Sequence, residues 1–187
     1  MEIINRNPKI YIICGKARSG KDTIASYIKK TYEEKGQRGV SIAYADHIKN
    51  YAKIITNWDG SDETKPRELL QNLGTEVIRE QIDQSFFVNR MTEDIKVYAY
   101  FFKAIIISDA RYADEIDVIK ERFKDAVSIH ITRPNFTNEL TDMQKTHLSE
   151  TGLDHYTNYD YVISNDGTIA DLEAKIKKIM LEVGHED

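Results

Sequence analysis

The stretch Gly15-Lys16-Ala17-Arg18-Ser19-Gly20-Lys21 constrains this 187-residue chain more than any other feature. It follows the apolar run Ile10–Cys14 and precedes an amphipathic segment. Two glycines framing four residues let the backbone curl, so that successive N–H groups point inward at phosphate oxygens. The helix that follows adds its N-terminal dipole, and Lys21 can reach β- and γ-phosphates. Strand, glycine turn and helix in succession make this a phosphate-binding loop rather than a mere corner, which would not need a lysine directly after the second glycine. Where a magnesium-binding hydroxyl is expected next, the chain carries Asp22. Thr23 offers the hydroxyl one position late and is the first choice as metal contact. Asp22, able to approach Mg²⁺ directly or through water, is the second.

The rest of the chain supplies the frame such a loop needs. Short runs rich in β-branched or aromatic residues, Ile10–Cys14, Val40–Tyr44, Ala104–Ile107, Val127–Ile131 and Tyr161–Ile163, read as buried parallel strands. Helical stripes lie between and after them: Ile24, Ile28 and Tyr32; Leu70, Leu73 and Val77; Ile116, Ile119 and Phe123; Ile169, Leu172, Ile176 and Ile179. Alternation of the two implies βαβ crossovers and an α/β, three-layer domain spanning residues 1–187. The stretch from Asp46 to Lys103 is too long for one crossover helix and reads as a helical insertion, about 46–103, with Pro66 suited to a first helical turn. Residues 134–150 are polar and weakly periodic, as expected of a lid.

Charge narrows the partners. A net charge of −5 argues against a nucleic-acid surface, while leaving room for small anions gathered by local loops. A lone cysteine, Cys14, excludes an internal disulfide and reads as a core residue. No stretch approaches the apolar length of a membrane span, and no leader-like segment precedes the first strand. The expectation is a cytoplasmic protein, monomer or homodimer, whose partner is a small molecule. An Asn-Lys-x-Asp guanine-reading motif is absent, which removes switch GTPases. Asp109 ends the third strand, at the sheet edge where active-site groups gather, positioned either to organise magnesium or to cap the helix starting near Tyr112. His147 and Glu150 could form an acid–base pair. A lid hydrogen bond is the better reading, because an anionic acceptor oxygen needs no strong base. The five histidines lack zinc-site spacing.

GKARSGKDT, YADHIK, RELLQNLGTEVIRE, IISDARYADE and YDYVISNDG occur in this order, and together the chain resembles the phage-type deoxynucleoside monophosphate kinases from about Ile10 to Ile176. The loop is also similar to that of animal-type phosphomevalonate kinases, and Asn165-Asp166-Gly167 to an element of dephospho-coenzyme A kinases. The combination with LLQNLGTE favours the nucleotide kinases. The resemblance implies a P-loop kinase fold: a five-stranded parallel sheet in the order 2-3-1-4-5 with a helical substrate-binding insertion and a lid. It implies ATP and Mg²⁺ as cofactors and a nucleoside monophosphate as acceptor.

Under that resemblance the acceptor lies between the end of the second strand and the insertion. Asp46 is a candidate for a sugar or base contact and Lys49 for a phosphate, their plain alternatives being a helix cap and an exposed charge. Arg67 and Arg79 would stand roughly 18 Å apart on a continuous α-helix, too far to clamp one phosphate. Gly74 between them signals a bend or a close approach. Arg79 is preferred over Arg67 for the acceptor phosphate, with Gln71 and Glu76 as base or sugar candidates. Arg111 suits the acceptor phosphate or the transferring group. Arg133, Arg18 and Lys145 are the cations available to neutralise charge in a region poor in basic residues. Asn165, Asp166 and Gly167 are expected around the donor's adenine, with Asp166 or Thr168 also able to cap the last helix.

Overall fold

The computed structural model describes residues 3–134 and 146–184. Five strands form one parallel sheet: β1 Lys9–Cys14, β2 Gly39–Ile42, β3 Ala104–Ala110, β4 Ala126–Thr132 and β5 Tyr161–Ser164, in the order β2-β3-β1-β4-β5. The expected architecture and strand order are therefore present. Strand β1 is central because every one of its side chains from Ile10 to Cys14 has a buried neighbour to meet. Ile10, Ile12 and Cys14 face one core, whereas Tyr11 and Ile13 face the other.

Helix α1 (Lys21–Glu34) and the C-terminal helix Ile169–Val183 cover the second of these faces with Ile24, Ile28, Leu172, Ile176 and Ile179. Ile169, expected on that stripe, is instead 66% exposed, and Val183 continues the buried row. The opposite face is covered by α2 (Tyr44–Thr56), α3 (Arg67–Asn72), a π-helical segment (Leu73–Ile82), α4 (Phe86–Tyr98) and α5 (Ala113–Arg122). A short helix, α6 (Leu148–Thr151), precedes β5, and the C-terminal helix is α7. Tyr44, expected to end the second strand, opens α2.

The π-helical winding corrects the apolar stripe expected over Leu70, Leu73 and Val77. Hydrogen bonds closing at i→i+5 move the inward position after Leu73 from Val77 to Ile78, so Val77 is 38% exposed and Ile78 3%. The same winding removes the straight α-helix on which Arg67 and Arg79 would be roughly 18 Å apart. Gly74 meets its neighbour closely: a Cβ there would sit 2.9 Å from Ile48 Cδ1 of α2.

The expected lid lies mostly outside the described residues, as does Lys145; Thr146–Glu150 are described. No helix of the described residues is long and apolar enough to cross a membrane.

Candidate active site

The loop after β1, the start of α2 and the end of β3 meet at the carboxyl edge of the sheet. The loop after β1 turns through left-handed backbone at Arg18 (φ 59) and Gly20 (φ 110), the residue that opens α1. Gly15 is irreplaceable by shape as well as by torsion. Its φ is 147, and a Cβ would stand 2.5 Å from the carbonyl oxygen of Ile131. Lys21 is buried at the start of α1 and its Nζ donates to the carbonyls of Gly15 and Lys16, both at 2.8 Å. Burial foremost, then the Arg111 charge, pulls its pKa down to about 8. Ser19 is buried, and its Oγ has no hydrogen-bond partner among the described residues.

Beside the loop opens a cavity of about 430 Å³. Ala17, Arg18, Lys21 and Asp22 form its loop-side wall, and Lys49, Lys65, Arg67, Gln71, Gly74, Thr75 and Arg79 bring the helical insertion to the other side. Asp109, Arg111, Tyr112 and Glu115 form the floor between them. Seven basic side chains (Arg18, Lys21, Lys49, Lys65, Arg67, Arg79, Arg111) face four acidic ones (Asp22, Asp109, Glu115, Glu150), so this acidic protein carries a cationic cleft.

The floor is rigid because its charges are paired. Asp109 accepts from the amides of Tyr44 (2.8 Å) and Ala45 (2.9 Å), the first turn of α2. It therefore caps α2, not α5 as one reading expected. Burial raises its pKa, and those two amides oppose the rise. For α5 the back-reaching carboxylate is Glu115, which accepts from the amides of Arg111 (2.7 Å) and Tyr112 (3.3 Å). Its other oxygen pairs with Arg79, which also reaches Asp114 at 3.2 Å and lies with its guanidinium 3.9 Å from the Tyr112 ring centre. Burial pushes Glu115 up to about 7 against the pull of Arg79. Arg79 thus faces the cavity as a braced group, its charge shared between two carboxylates.

Arg111 pairs with Glu150 and donates to the Ser149 carbonyl at 2.9 Å. Glu150 also accepts from the Ala17 amide at 3.3 Å, and Lys16 pairs with Asp154 at 2.8 Å. His147 and Glu150 do not form a pair. The imidazole Nδ1 accepts from the Ser149 amide at 3.2 Å at the head of α6, and the carboxylate turns to the loop.

Other expected residues fall on either side of the cavity's boundary. Asp46 reaches back to the Ala43 amide and pairs with Lys49 at 3.1 Å, the capping role weighed for it. Glu76 is exposed and lies off the cavity lining. Thr23 is also off the lining, whereas Asp22 is on it, reversing their order as groups facing the site. Arg133 donates to the Arg18 carbonyl at 3.2 Å. Asn165 donates to the Ser19 carbonyl at 2.9 Å, tying the loop after β5 to the phosphate loop. Asp166 pairs with Lys175 at 2.8 Å, leaving the cap of α7 to Thr168, which accepts from the Asp171 amide. Asp166 and Gly167 line neither this cavity nor a smaller one of about 140 Å³ beside Lys16 and Arg111. Sequence reasoning missed Tyr44, Thr75, Tyr112 and Glu115 as cavity walls. Each stands inside a quoted stretch, Tyr44 in YADHIK, Thr75 in RELLQNLGTEVIRE, and Tyr112 and Glu115 in IISDARYADE, the signal that could have found them.

Residues 34–176 match the family model described as deoxynucleotide monophosphate kinase. The chain is 28% identical over 150 residues to the deoxynucleotide monophosphate kinase of Enterobacteria phage T4, covering 80% of this chain and 57% of that protein. It is 31% identical over 121 residues to the protein of the same name from Escherichia phage RB69, covering 64% and 46%. The chain thus spans about half the length of these two relatives. Among solved structures, APS kinase of Mycobacterium tuberculosis superimposes with a TM-score of 0.55 at 11% identity, over 92% of this chain and 96% of that one, a likeness of fold.

Proposed function

Because the chain belongs to the deoxynucleotide monophosphate kinase family, we propose that it transfers the γ-phosphoryl group of ATP to a (deoxy)nucleoside monophosphate, yielding the diphosphate. The observation that carries this reading is the single cationic cavity shared by the phosphate loop and the helical insertion, with Arg111 between them. Phosphoryl transfer asks a protein mainly for positioning and for charge stabilisation, and both are built in here.

The donor's phosphates would lie along the loop amides and Lys21, whose retracted ammonium already sits at the mouth of α1. Arg111, at the end of β3, is placed to meet the acceptor phosphate or the group in flight. Arg79, held flat against Tyr112 by Glu115 and Asp114, supports the acceptor side of the cavity with Arg67 and Lys49. Arg133, reaching the loop through the Arg18 carbonyl, adds positive charge at the donor end. Asn165 holds the loop's shape from β5.

Magnesium would be held chiefly by the phosphates themselves, as that ion keeps few protein ligands. Among the described residues no three His, Cys, Asp or Glu side chains converge on a ready-made metal cage. Asp22 fits the protein's share best, since it faces the cavity beside Lys21. Asp109, with both oxygens engaged by α2 amides, fits an outer role through water. Bound there, the ion would supply positive charge that neutralises the phosphates.

A coupled ADP-release assay over a panel of ribo- and deoxyribonucleoside monophosphates tests the proposal. We expect turnover with at least one deoxynucleoside monophosphate. Turnover with phosphomevalonate or dephospho-coenzyme A and none with any nucleotide would replace this acceptor class with another.

A further inference from the structure

Glu150 is an anion placed where phosphates are expected. Its side chain is 9% exposed, and its two oxygens divide between the two halves of the proposed reaction. One pairs with Arg111 on the acceptor side, and the other accepts from the Ala17 amide of the donor loop. Glu150 lines both cavities, as do Arg111 and Ser149. A carboxylate bridging a guanidinium and a loop N–H makes the same charge-assisted hydrogen bonds that a phosphoryl oxygen would make there.

The segment carrying Glu150 is docked by close backbone contact, by ion pairs and by half-buried Leu153, which packs against the core. Gly152 packs so tightly that a Cβ would stand 2.7 Å from the Arg111 carbonyl oxygen. Two residues beyond, Asp154 pairs with Lys16 of the same loop. Helix α6 itself is four residues long and has no buried residue. The segment is therefore anchored on Lys16, Ala17 and Arg111, groups that a donor and an acceptor would need.

We infer that Glu150 is an internal substitute for a phosphate oxygen, which keeps Arg111 and the loop amide satisfied in the free protein and yields them to the nucleotide phosphates. Desolvating Arg111 without an anion would be costly, and Glu150 meets that need until substrate arrives. This rests on the phosphotransfer reading for the identity of the incoming anion. Its consequence is competition: each nucleotide must displace the carboxylate, so binding is weaker than the loop alone would allow, and undocking of the 148–154 turn accompanies it.

Titration calorimetry with the non-hydrolysable β,γ-imido analogue of ATP and Mg²⁺, on the wild type and on Glu150→Gln, tests the competition. Expected is binding at least about tenfold tighter in the variant, the scale of one charge-assisted hydrogen bond. Equal or weaker binding would overturn the inference, because a group that merely positions Arg111 would lower affinity when removed. Should Glu150→Gln fail to fold, hydrogen exchange on the wild type decides: amides of residues 148–153 should exchange faster once the analogue is bound, and added protection would overturn the inference. If the wild type binds no analogue at all, the phosphotransfer reading falls and the inference falls with it.

Discussion

Lys21 ties the chemistry of the site to pH. Burial and the neighbouring Arg111 hold its pKa down to about 8 in the free protein. Below that value the side chain is an ammonium and attracts phosphate; above it the amine is neutral and the attraction is lost. Bound phosphates favour the charged form, so binding above pH 8 must be accompanied by proton uptake. Affinity for the ATP analogue should accordingly fall as pH rises past about 8, with uptake approaching one proton, measured by calorimetry in buffers of different ionisation enthalpy. Affinity flat to pH 10 would contradict that assignment. Residues of this kind were legible because their neighbours along the chain define them: Lys21 follows its glycine, and Arg111 stands two places after Asp109. The partners of Glu115 and Glu150 were not legible, the sequence offering Glu150 only beside His147. Glu115 looks like any first-turn helix acid until Arg79, 36 positions earlier, is folded against it. Glu150 meets Ala17 across 133 positions.

Strand β1, the loop and α1 act as one element, and its geometry leaves least room at Gly15. Ala there meets both an unfavourable torsion and the carbonyl of Ile131, a β4 residue held by its pairing with Ile163 of β5. Gly15→Ala should cost about 2–3 kcal/mol of stability, read as a lowered denaturation midpoint at unchanged slope. A change within a few tenths of a kcal/mol would show that the loop can relax. The strands and the helices α1, α5 and α7 followed from periodicity, since alternating apolar runs admit few other readings. The π-helical segment did not. Leu70, Leu73 and Val77 have α-helical spacing, and only packing selects Ile78 as the inward residue. Gly74 carried part of the message, because a glycine inside a helix implies a neighbour too near for a side chain, here Ile48.

For the whole molecule, the strand order and the cavity lining give one arrangement: the loop after the central strand, the helical insertion across the cavity from it, and a paired arginine, Arg111, between them. Charge alone conceals this, since the net negative value of the chain hides a cleft with seven basic residues against four acidic ones. Which base and sugar the proposed reaction would take was not legible, since such discrimination rests on pocket shape and a few hydrogen bonds rather than on a motif. The most direct measurement of the central claim follows the phosphoryl group itself. ATP labelled at the γ-phosphate is incubated with the protein, Mg²⁺ and each deoxynucleoside monophosphate in turn, and the products are separated. The account predicts label in the β-phosphate of a deoxynucleoside diphosphate. Label recovered only as inorganic phosphate, with every nucleotide acceptor left unmodified, would contradict it.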